Sequence, residues 1–139
     1  MATVAAIWRS PAKNSGRMEF VERTKAVEEE GLEGCAHARA GTKRQVLFAS
    51  AEHLRAVGVE PGRIRENFTV EGGDVHKWPI GQRLELGGAE FEITMVCDPC
   101  SRMDEIRPGL REELEGRRGM LARVVRTGDV SVGDEIRLL

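Results

Sequence analysis

Cys97 and Cys100 are the residues of this chain best suited to chemistry. They sit in Cys97-Asp98-Pro99-Cys100, followed by Ser101 and Arg102. The thiolate, not the thiol, is the nucleophile and the soft-metal ligand, and a nearby guanidinium favours it. Cys100 follows a proline corner and precedes Arg102, so it is expected to be partly exposed, as a nucleophile or a metal ligand. Cys97 is open to two readings: a thiol that contacts a cofactor, or a small buried hydrophobe at a strand end. A third thiol, Cys35, lies two positions before His37 in the loop Gly31-Leu32-Glu33-Gly34-Cys35-Ala36-His37. His37 orients a reacting group or transfers its proton if the fold brings it to Cys100; otherwise it is a hydrogen-bonded loop histidine.

The basic residues are unusual in kind, since 17 of the 21 are arginine. The planar guanidinium fork suits phosphate and other flat anions. Arg44, Arg63, Arg65, Arg118 and Arg123 are the candidates for an anionic ligand, with a genomic bias towards arginine accounting for most surface copies. Glu66 and Asn67, just before an apolar run, either lie solvated in a loop or engage something.

Four chemistries compete. Cys100 could hold a persulfide or ligate molybdenum in a pterin cofactor whose phosphate the arginines receive. Cys97 and Cys100 could join Cys35 and His37 in a structural zinc site, although Cys-x-His spacing is poor for zinc. Thiol–disulfide exchange fits the Cys-x-x-Cys spacing but lacks the helical crossovers that usually carry it. A catalytically silent binding module is the fourth. No glycine-rich phosphate loop is present, so no nucleotide cofactor is expected.

The supporting framework is small. The 139 residues fit one domain spanning 1–139, with 40% hydrophobic and 32% charged residues. A net charge of -2 and an aromatic content of 4% argue against nucleic acid as a partner. No apolar run is long enough for a membrane span, and the first residues do not read as a secretory leader. Three cysteines without a disulfide pattern suit a reducing, cytoplasmic setting.

Strands are expected at Thr3–Trp8, Arg44–Ala49, Phe68–Val70, Arg83–Leu86, Ala122–Arg126, Val130–Val132 and Glu135–Leu138, with Met18–Val27 fitting an edge strand. Between Glu90 and Val96, Phe91, Ile93 and Met95 alternate with polar residues, marking a half-buried strand that leads into the cysteines. Gly87-Gly88 predicts a hairpin before it. Ser50 predicts an N-cap for a helix to Val57, and a second helix is expected over Pro108–Glu115. Ile80–Leu86 and Val132–Leu138 repeat one pattern: a hydrophobe, a glycine turn, then an alternating strand. Together these predict a mostly β chain forming a small barrel with two or three short helices.

Short motifs spread from about Ala5 to Leu138 carry a resemblance. They are Gly31-Leu32-Glu33-Gly34 with His37, Lys43-Arg44-Gln45-Val46, Pro61-Gly62, Glu66-Asn67-Phe68-Thr69-Val70, Gly81 to Gly87, Cys97-Asp98-Pro99-Cys100, Arg118-Gly119, Ala122-Arg123-Val124, and Gly128-Asp129 to Gly133-Asp134. In this order the chain resembles the MOSC domains, named for the C-terminal domain of molybdenum-cofactor sulfurase, and in particular their short stand-alone bacterial members. The resemblance implies a β-barrel and the handling of sulfur or the molybdenum cofactor (molybdopterin) through a cysteine. The family's Pro-Cys falls on Pro99-Cys100, which makes Cys100 the implied functional thiol and metal ligand. Arg44, Arg118 and Arg123 would then hold the anion, Glu66 and Asn67 would shape the site with Cys97, and His37 would serve as the proton carrier. Cys35 stands where the family's loop usually has an aspartate, and Glu92 near where the eukaryotic molybdenum-binding relatives place their ligand cysteine. The sequence shows no pyridoxal-dependent desulfurase domain, so a cysteine-desulfurase-type donor or a molybdoenzyme acceptor is the implied partner. The other activity the resemblance leaves open is molybdenum-dependent reduction of N-hydroxylated compounds.

Overall fold

A computed structural model describes residues 2–12, 17–36, 38 and 40–139. Eleven strands and three short α-helices are present among them. Strands β1 (Thr3–Arg9), β2 (Glu19–Val21), β5 (Val46–Ser50), β6 (Phe68–Glu71), β7 (Arg83–Leu86), β8 (Ala89–Val96), β9 (Met120–Arg126) and β11 (Ile136–Leu138) form one sheet in the order β11-β7-β8-β9-β5-β6-β1-β2. Strands β3 (Arg23–Val27), β4 (Gly31–Leu32) and β10 (Gly128–Ser131) form a second sheet in the order β10-β3-β4. The expected mostly β class is therefore the observed one.

The barrel is loose. No continuous ladder joins β1 to β11, but the isolated bridge Thr3↔Glu135 brings them together. Val4 N–H donates to the Asp134 carbonyl at 3.0 Å and Ile136 N–H to that of Ala2 at 2.9 Å. The two repeated segments pair with each other, Ile136 opposite Leu86 and Leu138 opposite Leu84. One strand pair departs from the antiparallel pattern: β5 runs parallel to β6. A parallel neighbour needs a crossover, here supplied through helix α1 (Ala51–Ala56) and the turns after it.

Alternation decides the inside of the sheet. In β8, Ala89, Phe91 and Ile93 are buried while Glu90, Glu92 and Thr94 point outward. Phe48, Phe68 and Phe91 meet inside with ring centroids 4.9 to 5.6 Å apart, and Trp78 closes on Phe48 at 5.7 Å. Offset and edge-on contacts of this kind are the favoured aromatic arrangement.

Strand β5 is buried at every position, because it is covered on both faces. Val46 and Phe48 belong to the barrel core. Ala49 meets Leu54 of α1, Met103 of α2 (Arg102–Ile106), Leu110 of α3 (Leu110–Glu113) and Leu114. Leu47 meets Cys97 and Leu121, with Met95 against them.

Two local expectations are corrected. The helix after Ser50 forms, but the Ser50 side chain does not cap it. Its hydroxyl instead donates to the Gly73 carbonyl at 2.8 Å and accepts Val75 N–H at 2.9 Å, tying β5 to the turn after β6. Helix α2, directly after Cys100, has no counterpart among the sequence expectations. At five residues it offers too little periodicity to be read.

Candidate anion-binding site

On the outer side of β5 and β9 lies a cavity of about 200 Å³. Leu47, Leu121 and Cys97 give it an apolar and thiol lining, and Arg44, Arg65, Arg102 and Arg118 also line it. Each arrives by a different route. Arg44 stands just before β5, in a loop held to β8 by the Thr94 hydroxyl, which donates to the Lys43 carbonyl. Arg65 precedes β6 with φ +68°, a left-handed conformation uncommon outside glycine. Arg102 opens α2. Arg118 lies between α3 and β9.

Arg118 is the anomaly. It is 7% exposed, and among the described residues its Nε and Nη1 have no hydrogen-bond partner. A buried cation normally has a partner, because desolvation is costly. Among the described residues Arg118 forms no ion pair, nor do Arg44 and Arg102. Four guanidinium groups around one small space suit an anion.

The backbone beside Arg118 is fixed by Gly119. Its φ is +137°, and a Cβ there would collide with the Phe48 carbonyl oxygen. Gly119 N–H donates to His76 Nε2 at 2.9 Å, and the Gly119 carbonyl accepts Cys97 N–H at 3.0 Å. Gly119 thus places Cys97 next to the Arg118 segment. The accepting Nε2 needs a neutral ring. Burial, assisted by His53 and opposed by Asp74, lowers the His76 pKa.

Glu66 and Asn67 serve this arrangement differently. Asn67 lines the cavity, but its amide is spent on the fold: Oδ1 accepts Leu47 N–H at 2.9 Å and Nδ2 donates to the Trp8 carbonyl at 3.2 Å. It thereby joins β1 to β5. Glu66 is fully buried, and its Oε2 accepts Gly62 N–H and the Thr69 hydroxyl, each at 2.8 Å. Its Oε1 has no hydrogen-bond partner. Burial pushes the Glu66 carboxyl up, while the Gly62 N–H, the Thr69 hydroxyl and the positive charge of Arg118 pull it back. Glu66 is therefore a buried carboxyl near enough to feel the Arg118 charge, with no ion pair between them among the described residues.

The remaining candidates fall elsewhere. Cys100 is exposed and does not line the cavity, whereas Cys97 does. Arg123 is outside the group: it pairs with Glu92 at 2.9 Å and with Glu29. Arg63 lines a separate cavity beside Trp8. Cys35 lies across Asn67, its Sγ accepting Ser10 N–H at 3.3 Å and Asn67 Nδ2–H at 3.7 Å. His37 lies outside the described residues. Among them, no three His, Cys, Asp or Glu side chains are grouped for a metal. Arg102 joins the anion site although the sequence marked it only as a neighbour of Cys100. His76 carried no sequence signal, since its role rests on a contact 43 positions away.

Three comparisons bear on this geometry. The fold is similar to the YuaD protein from Bacillus subtilis, with TM-score 0.82, 21% identity, and coverage of 99% of this chain and 94% of that one. It is also similar to YiiM from Geobacillus stearothermophilus, with TM-score 0.80, 18% identity, and coverage of 100% and 75%. YiiM from Escherichia coli follows with TM-score 0.74, 19% identity, and coverage of 99% and 69%. A comparison with curated proteins finds no match. The model of the MOSC domain matches residues 36–137, a span that holds every residue of the arginine cavity, and the chain belongs to the MOSC domain family.

Proposed function

We propose that the arginine cavity receives the phosphate of a molybdopterin-type cofactor, and that the adjoining cysteine loop handles its sulfur. The observation that carries this reading is Arg118, buried in the cavity wall with two unpartnered nitrogen atoms. The donor set fits such a group: guanidinium groups for a phosphate, and a thiol beside them for a soft metal or for sulfur. At about 200 Å³ the space suits a phosphate-sized head group better than a whole cofactor, since sites for larger ligands run to about 300–1,000 Å³.

In this reading Arg44, Arg65, Arg102 and Arg118 bind the anion. Glu66 holds the Gly62 turn and Thr69 beside the site, and Asn67 holds the strands that carry it. Leu47 and Leu121 exclude water from one side, which strengthens each charged contact. When bound, the cofactor would supply redox-active molybdenum. The partner is a cysteine-desulfurase-type sulfur donor or a molybdoenzyme acceptor, and the setting is cytoplasmic, where thiols stay reduced. Among the described residues no helix is long and apolar enough to cross a membrane.

Native mass spectrometry on anaerobically prepared protein tests the reading, after incubation with cofactor released from a molybdoenzyme. The wild type should retain a pterin adduct that fluoresces after oxidation, and Arg118→Ala should lose it. A wild-type chain that stays bare with excess cofactor overturns the assignment.

A further inference from the structure

Resting on the sulfur-handling part of that reading, we propose that the two thiols of the 97–100 loop act in succession. Cys100 takes a sulfane sulfur from an external donor and passes it to Cys97, which holds it as a persulfide at the arginine cavity.

Access and destination are divided between the two residues. Cys100 is exposed; Cys97 is 5% exposed and lines the cavity. A donor in solution meets the first far more readily than the second, and only the second lines the cavity with the arginines. Cys100 also lies in the chain between two cavity-lining residues, Cys97 and Arg102, and its carbonyl accepts Met103 N–H at 3.0 Å. Three residues of chain span at most about 11 Å, so the thiols remain within reach of a loop adjustment. Both are free thiols. Cys35 is not an alternative destination, because it lies beyond Asn67 and does not line this cavity.

The second, independent observation is again Arg118. Its Nε and Nη1 lack partners, and the following residue bonds the Cys97 backbone at 3.0 Å. A persulfide on Cys97 would place an anionic sulfur beside a guanidinium, a charge-assisted contact.

The steps balance without an oxidant. The Cys100 thiolate attacks the terminal sulfur of a low-molecular-weight persulfide, forming Cys100–S–SH and releasing the donor thiolate. The Cys97 thiolate then attacks the terminal sulfur of Cys100–S–SH. The new S–S bond forms on Cys97, the old one breaks, the proton stays with the transferred sulfur, and the Cys100 thiolate leaves. Attack on the inner sulfur would instead give a Cys97–Cys100 disulfide and release hydrosulfide.

The test uses the full chain, reduced and anaerobic, with glutathione persulfide as the probe. Samples are alkylated and the extra sulfur is located by fragment-ion mass spectrometry in wild type, Cys97→Ser and Cys100→Ser. Thermal melts confirm that each variant folds. The expected result is sulfur on Cys97 in the wild type, on Cys100 in Cys97→Ser, and loading slowed at least about tenfold in Cys100→Ser. Sulfur resting on Cys100 in the wild type overturns the relay but leaves the carrier reading standing. So does a Cys97–Cys100 disulfide with hydrosulfide release, or loading of Cys97 at the wild-type rate in Cys100→Ser. Absence of added sulfur from all three proteins overturns both.

Discussion

Arginine does two different jobs in two regions of the sheet's outer face. On the outward face of β7, β8, β9 and β11 it belongs to a ladder of opposite charges. Arg137 contacts Glu85 at 2.8 Å, Arg126 contacts Glu85 at 3.3 Å and Glu90 at 3.5 Å, and Arg83 contacts Glu90 and Glu92, each at 3.5 Å. Arg123 ends the ladder on Glu92 and Glu29. The register explains it, for Arg83 faces Glu92 and Glu92 faces Arg123. Glu85 and Glu90 also face each other, a like-charge pair that Arg126 bridges. In the cavity, by contrast, Arg44, Arg102 and Arg118 converge without an ion pair among the described residues. Strand pairing neutralises the ladder locally. The cavity is built from loop ends of distant elements, and on the proposed reading the balancing charge comes from a ligand.

The contrast is sharpened first at Arg118. Arg118→Ala should weaken binding of inorganic phosphate about 100-fold in calorimetry, equal to ~2.7 kcal/mol. Arg126→Ala should leave it unchanged. If both variants bind alike, the two groups of arginines are not functionally distinct.

Backbone dependence comes next. Gly119→Ala should destabilise the fold by about 2 kcal/mol or more in urea melts, because its left-handed φ and contact with the Phe48 carbonyl exclude a side chain. A melt like the wild type's would mean that the Arg118 segment is free to move.

A smaller effect is expected from pH at Glu66. Its folded pKa is raised, so the folded state holds its proton at pH values where the unfolded chain has lost it. That contribution to stability is present below the unfolded pKa and is lost as pH rises through the folded one. Glu66→Gln should flatten this part of the profile of urea midpoint against pH. An unchanged profile would mean that Glu66 titrates alike in the folded and unfolded chain.

The ladder should give the smallest response. Arg126→Ala is expected to cost under about 1 kcal/mol and to cost less at high salt, as exposed ion pairs do.

Much of the fold was legible in the chain because its signals are local. Phe91 and Ile93 alternate with glutamates in β8, the Gly87-Gly88 reversal joins it to β7, and Gly81 and Gly133 mark equivalent turns at φ +93° and +96°. The parallel β5–β6 pair was not legible. A five-residue apolar strand looks the same whichever way its neighbour runs. The site divides similarly. Arg44 and Arg118, which line one cavity, could be singled out as candidate anion ligands from residue type and family resemblance. That Arg123, of the same type, turns to Glu92 depends on its register against β8.

Composition and period two determined that this chain would be mostly β, with its thiols at the end of a strand. Side-chain alternation and glycine turns act over a few residues and survive in a linear text. Tertiary structure alone decided that Cys97 rather than Cys100 lines the cavity, that Arg102 joins it, that Asn67 is spent on the scaffold, and that Arg118 is buried with Nε and Nη1 unpartnered among the described residues. Each of these depends on which distant segments occupy the outer face of β5, and burial and charge balance are properties of that shared space.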